Sequence, residues 1–168
     1  DVLQELGDVA DVRVTFSVGS IDEKVWKLTE PGAPSPISRL ETMQFLVENG
    51  VQAGVMMAPL LPGISDNAES IDAVAEAAAD HGAQYLGANV LFLKPGSREW
   101  FMPMLSEAYP RLASGYNSLY QKTHAPRDYT QKVLDLVDES RRNWGLATKT
   151  EPRRMRVQQR QLELALTA

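Results

Sequence analysis

Apolar and polar positions follow two alternating rhythms through the first half of the chain. Val12 to Val18 is short and rich in β-branched residues, which predicts a strand. Ile21 to Leu28 predicts a short helical turn, followed by a Pro/Gly-rich segment over 31–36. Ser35 is a good N-cap with Pro36 at the first helical position, and Ile37, Leu40, Met43 and Val47 fall on one helical face. Asn49-Gly50 ends that helix. The pattern then repeats. Val51 to Ala58 is a nearly continuous apolar run, as expected of a parallel-sheet strand covered on both faces. Asp66 with Glu69 reads as a capping box, and Ile71, Val74, Ala75 and Ala78 form a core-facing stripe. His81-Gly82 closes the helix, where capping is a better role for His81 than metal ligation, and Ala83 to Leu93 is the next strand.

Strand–helix–strand–helix–strand predicts an α/β fold with a parallel βα array, either barrel or doubly wound. After Lys94-Pro95-Gly96 the rhythm becomes helical. Arg98 to Tyr109 carries a stripe of Phe101, Met104 and Leu105, broken at Pro110. Pro126 to Trp144 is amphipathic, with Tyr129, Val133, Leu136 and Val137 inward, and Gly145 ends it. The chain therefore divides into a βα array over 1–95 and a helical extension over 96–168. The tail carries Arg153, Arg154, Arg156 and Arg160 and reads as a solvated end. The aromatic residues Trp100, Phe101, Tyr109, Tyr116 and Tyr120 are expected to pack the C-terminal helices over the sheet rather than to stack bases.

Composition narrows the function classes. A chain of 168 residues with 43% hydrophobic content can bury a real core. No apolar run approaches the roughly 18 residues of a membrane span, no export signal is visible, and a cytoplasmic location is expected. The net charge of −5 gives no global drive toward nucleic acid. The absence of cysteine removes disulfides and any iron–sulfur cluster ligated within this chain. Asp1 opens the sequence in what reads as mid-helix (Val2, Leu3, Leu6), so an excised or incomplete protein is expected. His124 stands in a loop with no paired ligand.

In a parallel βα array the functional rim lies at the C-terminal ends of the strands. That rule selects Ser17 to Ser20, Ala58 to Gly63 and Leu93 to Arg98, with Arg39 one turn into its helix near the same rim. The ordered set Phe16-Ser17, Glu30-Pro31-Gly32, Ser35-Pro36, Arg39 and Ala58-Pro59 resembles radical S-adenosylmethionine (SAM) enzymes of the spore photoproduct lyase-like group. The likeness is good from about Asp11 to Leu93 and looser afterwards. Arg98-Glu99-Trp100-Phe101 is more similar to bacterial relatives described as DNA repair photolyase-like.

The resemblance implies that the chain is the C-terminal half of a partial six-stranded barrel. The N-terminal half of the same protein would then carry a Cys-x-x-x-Cys-x-x-Cys loop holding a [4Fe–4S] cluster. In such enzymes the cluster cleaves SAM reductively to a 5′-deoxyadenosyl radical, with the protein supplying orientation and exclusion of water. Ser17 matches a serine that can hydrogen-bond SAM, although a strand-end serine can equally satisfy nearby backbone. Ala58 matches a small residue lying against the adenine, where simple strand packing is the alternative. Arg39 either meets the SAM carboxylate or pairs with Glu30 to clamp the loop, the latter being preferred. Lys94 either faces a substrate channel or is solvated. Nucleic acid is the substrate class the resemblance suggests, and no membrane partner is expected. The rival reading is a non-catalytic half-barrel that binds a cysteine-bearing partner. An aldolase-type barrel lacks the strand-end Lys, Asp or Glu set its chemistry needs.

Overall fold

A computed structural model describes residues 2–7 and 10–148. The elements are α1 (Val2–Gly7), β1 (Arg13–Ser17), α2 (Glu23–Thr29), α3 (Pro36–Glu48), β2 (Gln52–Leu60), α4 (Ala68–Asp80), β3 (Leu86–Val90), α5 (Ser97–Ala108), α6 (Pro110–Leu119) and α7 (Arg127–Asn143). The strands form one parallel sheet in the order β1-β2-β3, with Phe16 opposite Val55 and Val55 opposite Leu86. The α/β class and the parallel array are as the sequence rhythm predicts. The arginine-rich tail lies outside the described residues.

Caps set the helix starts. Asp22 accepts from the Lys24 and Val25 amides, so α2 is a full helix rather than a turn. Ser35 accepts from Ser38 N, with Pro36 at the first position of α3. The capping box expected at Asp66 does not form. Asn67 caps α4 by accepting from Ser70 N at 2.9 Å, while Asp66 is buried and accepts from Gly63 N at 2.7 Å. Both residues cap well, and a tertiary partner for Asp66 decides between them. The break expected at Pro110 forms, since α5 ends at Ala108, and Pro110 also opens α6, because a missing amide costs nothing in a first turn. His81 is the C-cap of α4, its ring Nδ1 2.7 Å from Ala77 O.

The two sheet faces differ. Side chains alternate along a strand, so Ala53, Val55, Met57 and Leu86 share one face, and all four are buried. Leu40, Met43, Ile71, Val74, Ala75 and Ala78 of α3 and α4 join them in one core, while Ile37, expected to face inward, is 43% exposed. The opposite face carries Thr15, Ser17, Gly54, Met56, Gly87 and Asn89; Ser17 and Asn89 are exposed, and Met56 is half-buried. A sheet covered on both faces, as the apolar run of β2 suggested, is therefore not what forms. The second face is built from glycine and polar residues that leave little apolar area to bury. It has its own packing logic. The Tyr85 ring crosses Gly54, where an added Cβ would sit 2.6 Å from the ring and 2.4 Å from Tyr85 O. The Tyr85 hydroxyl donates to Val14 O at 2.8 Å. One row further along, Met56 leans over Gly87.

The expected strand Ala83–Leu93 is reduced to Leu86–Val90, but both flanks are used. Tyr85 bridges Ala147, and Phe92 bridges His124, so the chain after α6 and after α7 lies along the outer edge of β3. Among the described residues, no strand pairs with the outer edge of β1. Helix α7 is held against α4 by Asp72, which accepts from Ser140 Oγ at 2.5 Å and Trp144 Nε1 at 3.0 Å.

Candidate functional site

A cleft of about 590 Å³ opens at the C-terminal ends of the strands. Ser17, Gly19 and Ser20 line it after β1, and Ala58, Pro59 and Leu61 after β2. Leu91 and Leu93 come from the segment after β3, and α2 adds Val25, Trp26 and Thr29 with Glu30 at its end. The start of α5 closes the far side with Ser97, Trp100 and Phe101. The rim loops approach closely: a Cβ on Gly19 would sit 2.7 Å from Pro59 O, so only glycine fits there. The Ala58–Pro59 peptide bond is cis.

Of the residues expected at the site, Ser17, Glu30 and Ala58 line the cleft. Arg39 stands behind it as a three-way tie. Its Nε donates to Pro34 O at 3.0 Å, one terminal nitrogen donates to Ser17 O at 2.8 Å, and the other pairs with Glu30 Oε2. The guanidinium fork thus joins the end of β1 to the loop over 30–36. The Glu30 pairing is the one preferred from the sequence; the Ser17 and Pro34 carbonyls were not anticipated. Ser17 Oγ donates to Ala58 O at 2.5 Å, the backbone role weighed for it, and in doing so links the ends of β1 and β2. Lys94 does not line the cleft. It is exposed, with its amine over the Phe92 ring 5.2 Å from the centroid.

Beneath the cleft, three tyrosines tie the helical layer to the rim loops. Tyr116 donates to Pro62 O at 2.8 Å, Tyr120 to Leu91 O at 2.7 Å, and Tyr129 to Asp66 Oδ2. Tyr116 stacks on Tyr120 at 5.6 Å and meets Phe101 at 5.5 Å. Burial raises all three phenol pKa values well above the ordinary range; the Asp66 carboxylate adds to each, and for Tyr116 the neighbouring Tyr120 comes first after burial. Phe101, Tyr116 and Tyr120 are buried between the helices and the rim, as expected, whereas Trp100 is 52% exposed at the cleft.

Trp26 is the residue that sequence reasoning missed. It lies one helix before the Pro/Gly loop, and its indole Nε1 is buried without a hydrogen-bond partner. Among the described residues, no cluster of three His, Cys, Asp or Glu side chains is placed to hold a metal ion, and no helix is long and apolar enough to cross a membrane.

No family model matches the chain. It is 30% identical over 137 residues to uncharacterised proteins of Mycobacterium tuberculosis and Mycobacterium bovis, a match that covers 81% of this chain and 40% of each relative. A protein of Acidianus two-tailed virus, also uncharacterised, is 29% identical over 110 residues, covering 64% of this chain and 36% of the relative. The chain thus spans about 40% of the length of the mycobacterial proteins it matches.

Proposed function

We propose that this chain is the SAM-supporting side of a radical SAM enzyme of the spore photoproduct lyase-like group. The observation that carries the reading is convergence. Ser17, Glu30 and Ala58, from three separate motif segments, line one cleft on the strand-end rim, and Arg39, from a fourth, stands behind it and ties Ser17 to Glu30. The half-open sheet face favours a half-barrel over a doubly wound sheet, because a barrel interior takes alternating small and large side chains, as in the Tyr85–Gly54 and Met56–Gly87 pairs. The short length relative to the mycobacterial proteins agrees with a chain that is one part of a larger unit.

The residues fit SAM and do not fit the cluster. Six oxygen-bearing side chains, Ser17 and Glu30 among them, and a small Ala58 line a cleft of suitable size, whereas a chain without cysteine offers no thiolate. The cluster ligands would belong to the N-terminal half of the same protein. Bound SAM would supply the sulfonium whose reductive cleavage starts radical chemistry. This chain's residues would do the holding. Arg39 fixes the Glu30 loop and the end of β1, Ala58 leaves room for a flat ring, and the Ser17 oxygen, its proton given to Ala58 O, keeps lone pairs to accept a hydrogen bond from a ligand. The rival reading, a non-catalytic binding module for a cysteine-bearing partner, draws on the same absence of cysteine. Nucleic acid as substrate draws on the resemblance alone.

Two measurements test the proposal together. After anaerobic reconstitution the 168-residue chain should show no iron–sulfur absorbance, whereas the parent protein should show it and release 5′-deoxyadenosine detectable by mass spectrometry. A parent that binds a cluster yet makes no 5′-deoxyadenosine would favour the binding module, and a cluster on the isolated chain would contradict the assignment of its ligands.

A further inference from the structure

One stretch of chain, from Ala58 to Ser65, supplies four residues to the cleft: Ala58, Pro59, Leu61 and Ser65. Beyond Leu60 it has left the sheet, so other bonds must set its position. Two lie inside the loop: Leu61 N donates to Ser65 Oγ and Ser65 N to Leu61 O, both at 3.0 Å. Others come from behind. Tyr116 of α6 donates to Pro62 O at 2.8 Å. Asp66 accepts from Gly63 N at 2.7 Å on one carboxylate oxygen and from the Tyr129 hydroxyl of α7 on the other. Asp66 is a costly anchor. It is 9% exposed, and among the described residues no cation is paired with it. A buried carboxylate without counter-charge gives little net stability, because desolvation offsets its hydrogen bonds. Nor does it cap α4, since Asn67 does that. What Asp66 supplies is geometry: a planar acceptor with two oxygens that fixes Gly63 and Tyr129 relative to each other. Neither Asp66 nor Tyr129 lines the cleft, so both act on it through the loop. Helix α7 is pinned at two points, and only the first adjoins cleft-lining backbone. Tyr129 near its start meets Asp66, whereas Ser140 near its end donates to Asp72 on α4 at 2.5 Å.

We propose that Asp66 and Tyr129 are positioning residues for the cleft: through the Tyr129–Asp66–Gly63 chain, the helical layer sets the affinity of the wall after β2 for its ligand. This deepens the proposed function and rests on it in one respect, that the ligand lying against Ala58 is SAM.

The test is 5′-deoxyadenosine formation by the reconstituted parent protein, read as KM for SAM and kcat separately, beside the melting temperature. Tyr129→Phe keeps the ring and removes the donor. It should raise KM for SAM about fivefold, the equivalent of one hydrogen bond, and change kcat by less than about twofold. Asp66→Ala should raise KM at least as far, and adding Tyr129→Phe to it should change KM no further. Asp66→Asn can still accept from Gly63 N and can donate to the tyrosine oxygen, so its KM should stay within about twofold of the original. Ser140→Ala is the stability control. It loosens the other end of α7, so it should lower the melting temperature and leave KM unaltered. A KM that rises equally in Ser140→Ala overturns the inference, since Tyr129 would then act through stability alone. So does an effect of Asp66→Asn as large as that of Asp66→Ala, because charge rather than geometry would be at work. A parent that makes no 5′-deoxyadenosine removes the cofactor reading and this inference together. One that makes it with a KM indifferent to Tyr129→Phe removes the inference alone.

Discussion

Arg39 shows how one side chain can organise a site it does not line. Three of the five N–H donors of its guanidinium are committed to Pro34 O, Ser17 O and Glu30, two of them to backbone that no water-exposed lysine could reach in the same geometry. Its side chain is 14% exposed and that of Glu30 31%, so the pair is partly screened, and removing one partner costs less than in a dry core. Arg39→Ala is expected to lower stability by about 2 kcal/mol, and Arg39→Lys to recover less than half of that, by urea denaturation. An unchanged unfolding midpoint for Arg39→Ala would show the tie to be ornamental. Arg39 was legible in sequence because it stands one turn into a helix that begins at the strand-end rim, and Glu30 through the resemblance that Glu30-Pro31-Gly32 helps to carry. Trp26 and Asp66 were not. Their roles depend on what lies across the fold: the cleft for Trp26, and Tyr129 for Asp66, which drew Asp66 away from the helix cap it would otherwise make.

Among the elements, β2 carries most of the information. Its apolar run was read correctly as a parallel-sheet strand, but the expectation drawn from it, a sheet covered on both faces, was not met. The reason lay in its glycine and in the neighbours of that glycine. Gly54 pairs across the sheet with Thr15, and the Tyr85 ring passes over it to reach β1. Gly54→Ala would place a methyl group against both the Tyr85 ring and its carbonyl oxygen, neither of which is a flexible chain end. A loss of about 2–3 kcal/mol is expected, as for overpacked cores. Tyr85→Leu in the same background should restore part of it, so a double-mutant cycle by thermal denaturation will show coupling. Additive losses would mean that Tyr85 does not need the glycine. The helical half was less legible than the βα half: the break at Pro110 was read correctly, but not that Pro110 also begins a helix, α6, whose Tyr116 packs on Phe101.

For the molecule as a whole, Tyr116, Tyr120 and Tyr129 couple the helical layer to the rim. Their pKa values are higher in the folded chain than the ordinary value near 10, so the unfolded chain sheds phenol protons that the folded chain retains. The stability this gives is complete below pH ~10 and is lost as pH rises beyond it, at up to about 1.4 kcal/mol per pH unit for each tyrosine. Chemical denaturation across that range should therefore show a steep alkaline decline, and Tyr116→Phe should make it shallower. An equal slope in that variant would show that Tyr116 ionises in the folded chain.

The two edges of the sheet have a consequence for assembly. The outer edge of β3 is occupied by the segments at His124 and Ala147, while that of β1 has no partner strand among the described residues. A sheet capped at one end can lengthen only from the other. If two copies met through β1, each would present its stopper outward, and the array would close at a pair instead of running on as a filament. The residues after α6 and α7 thus act as a terminator of strand addition, and shortening the chain before His124 would convert a self-limiting edge into an open-ended one.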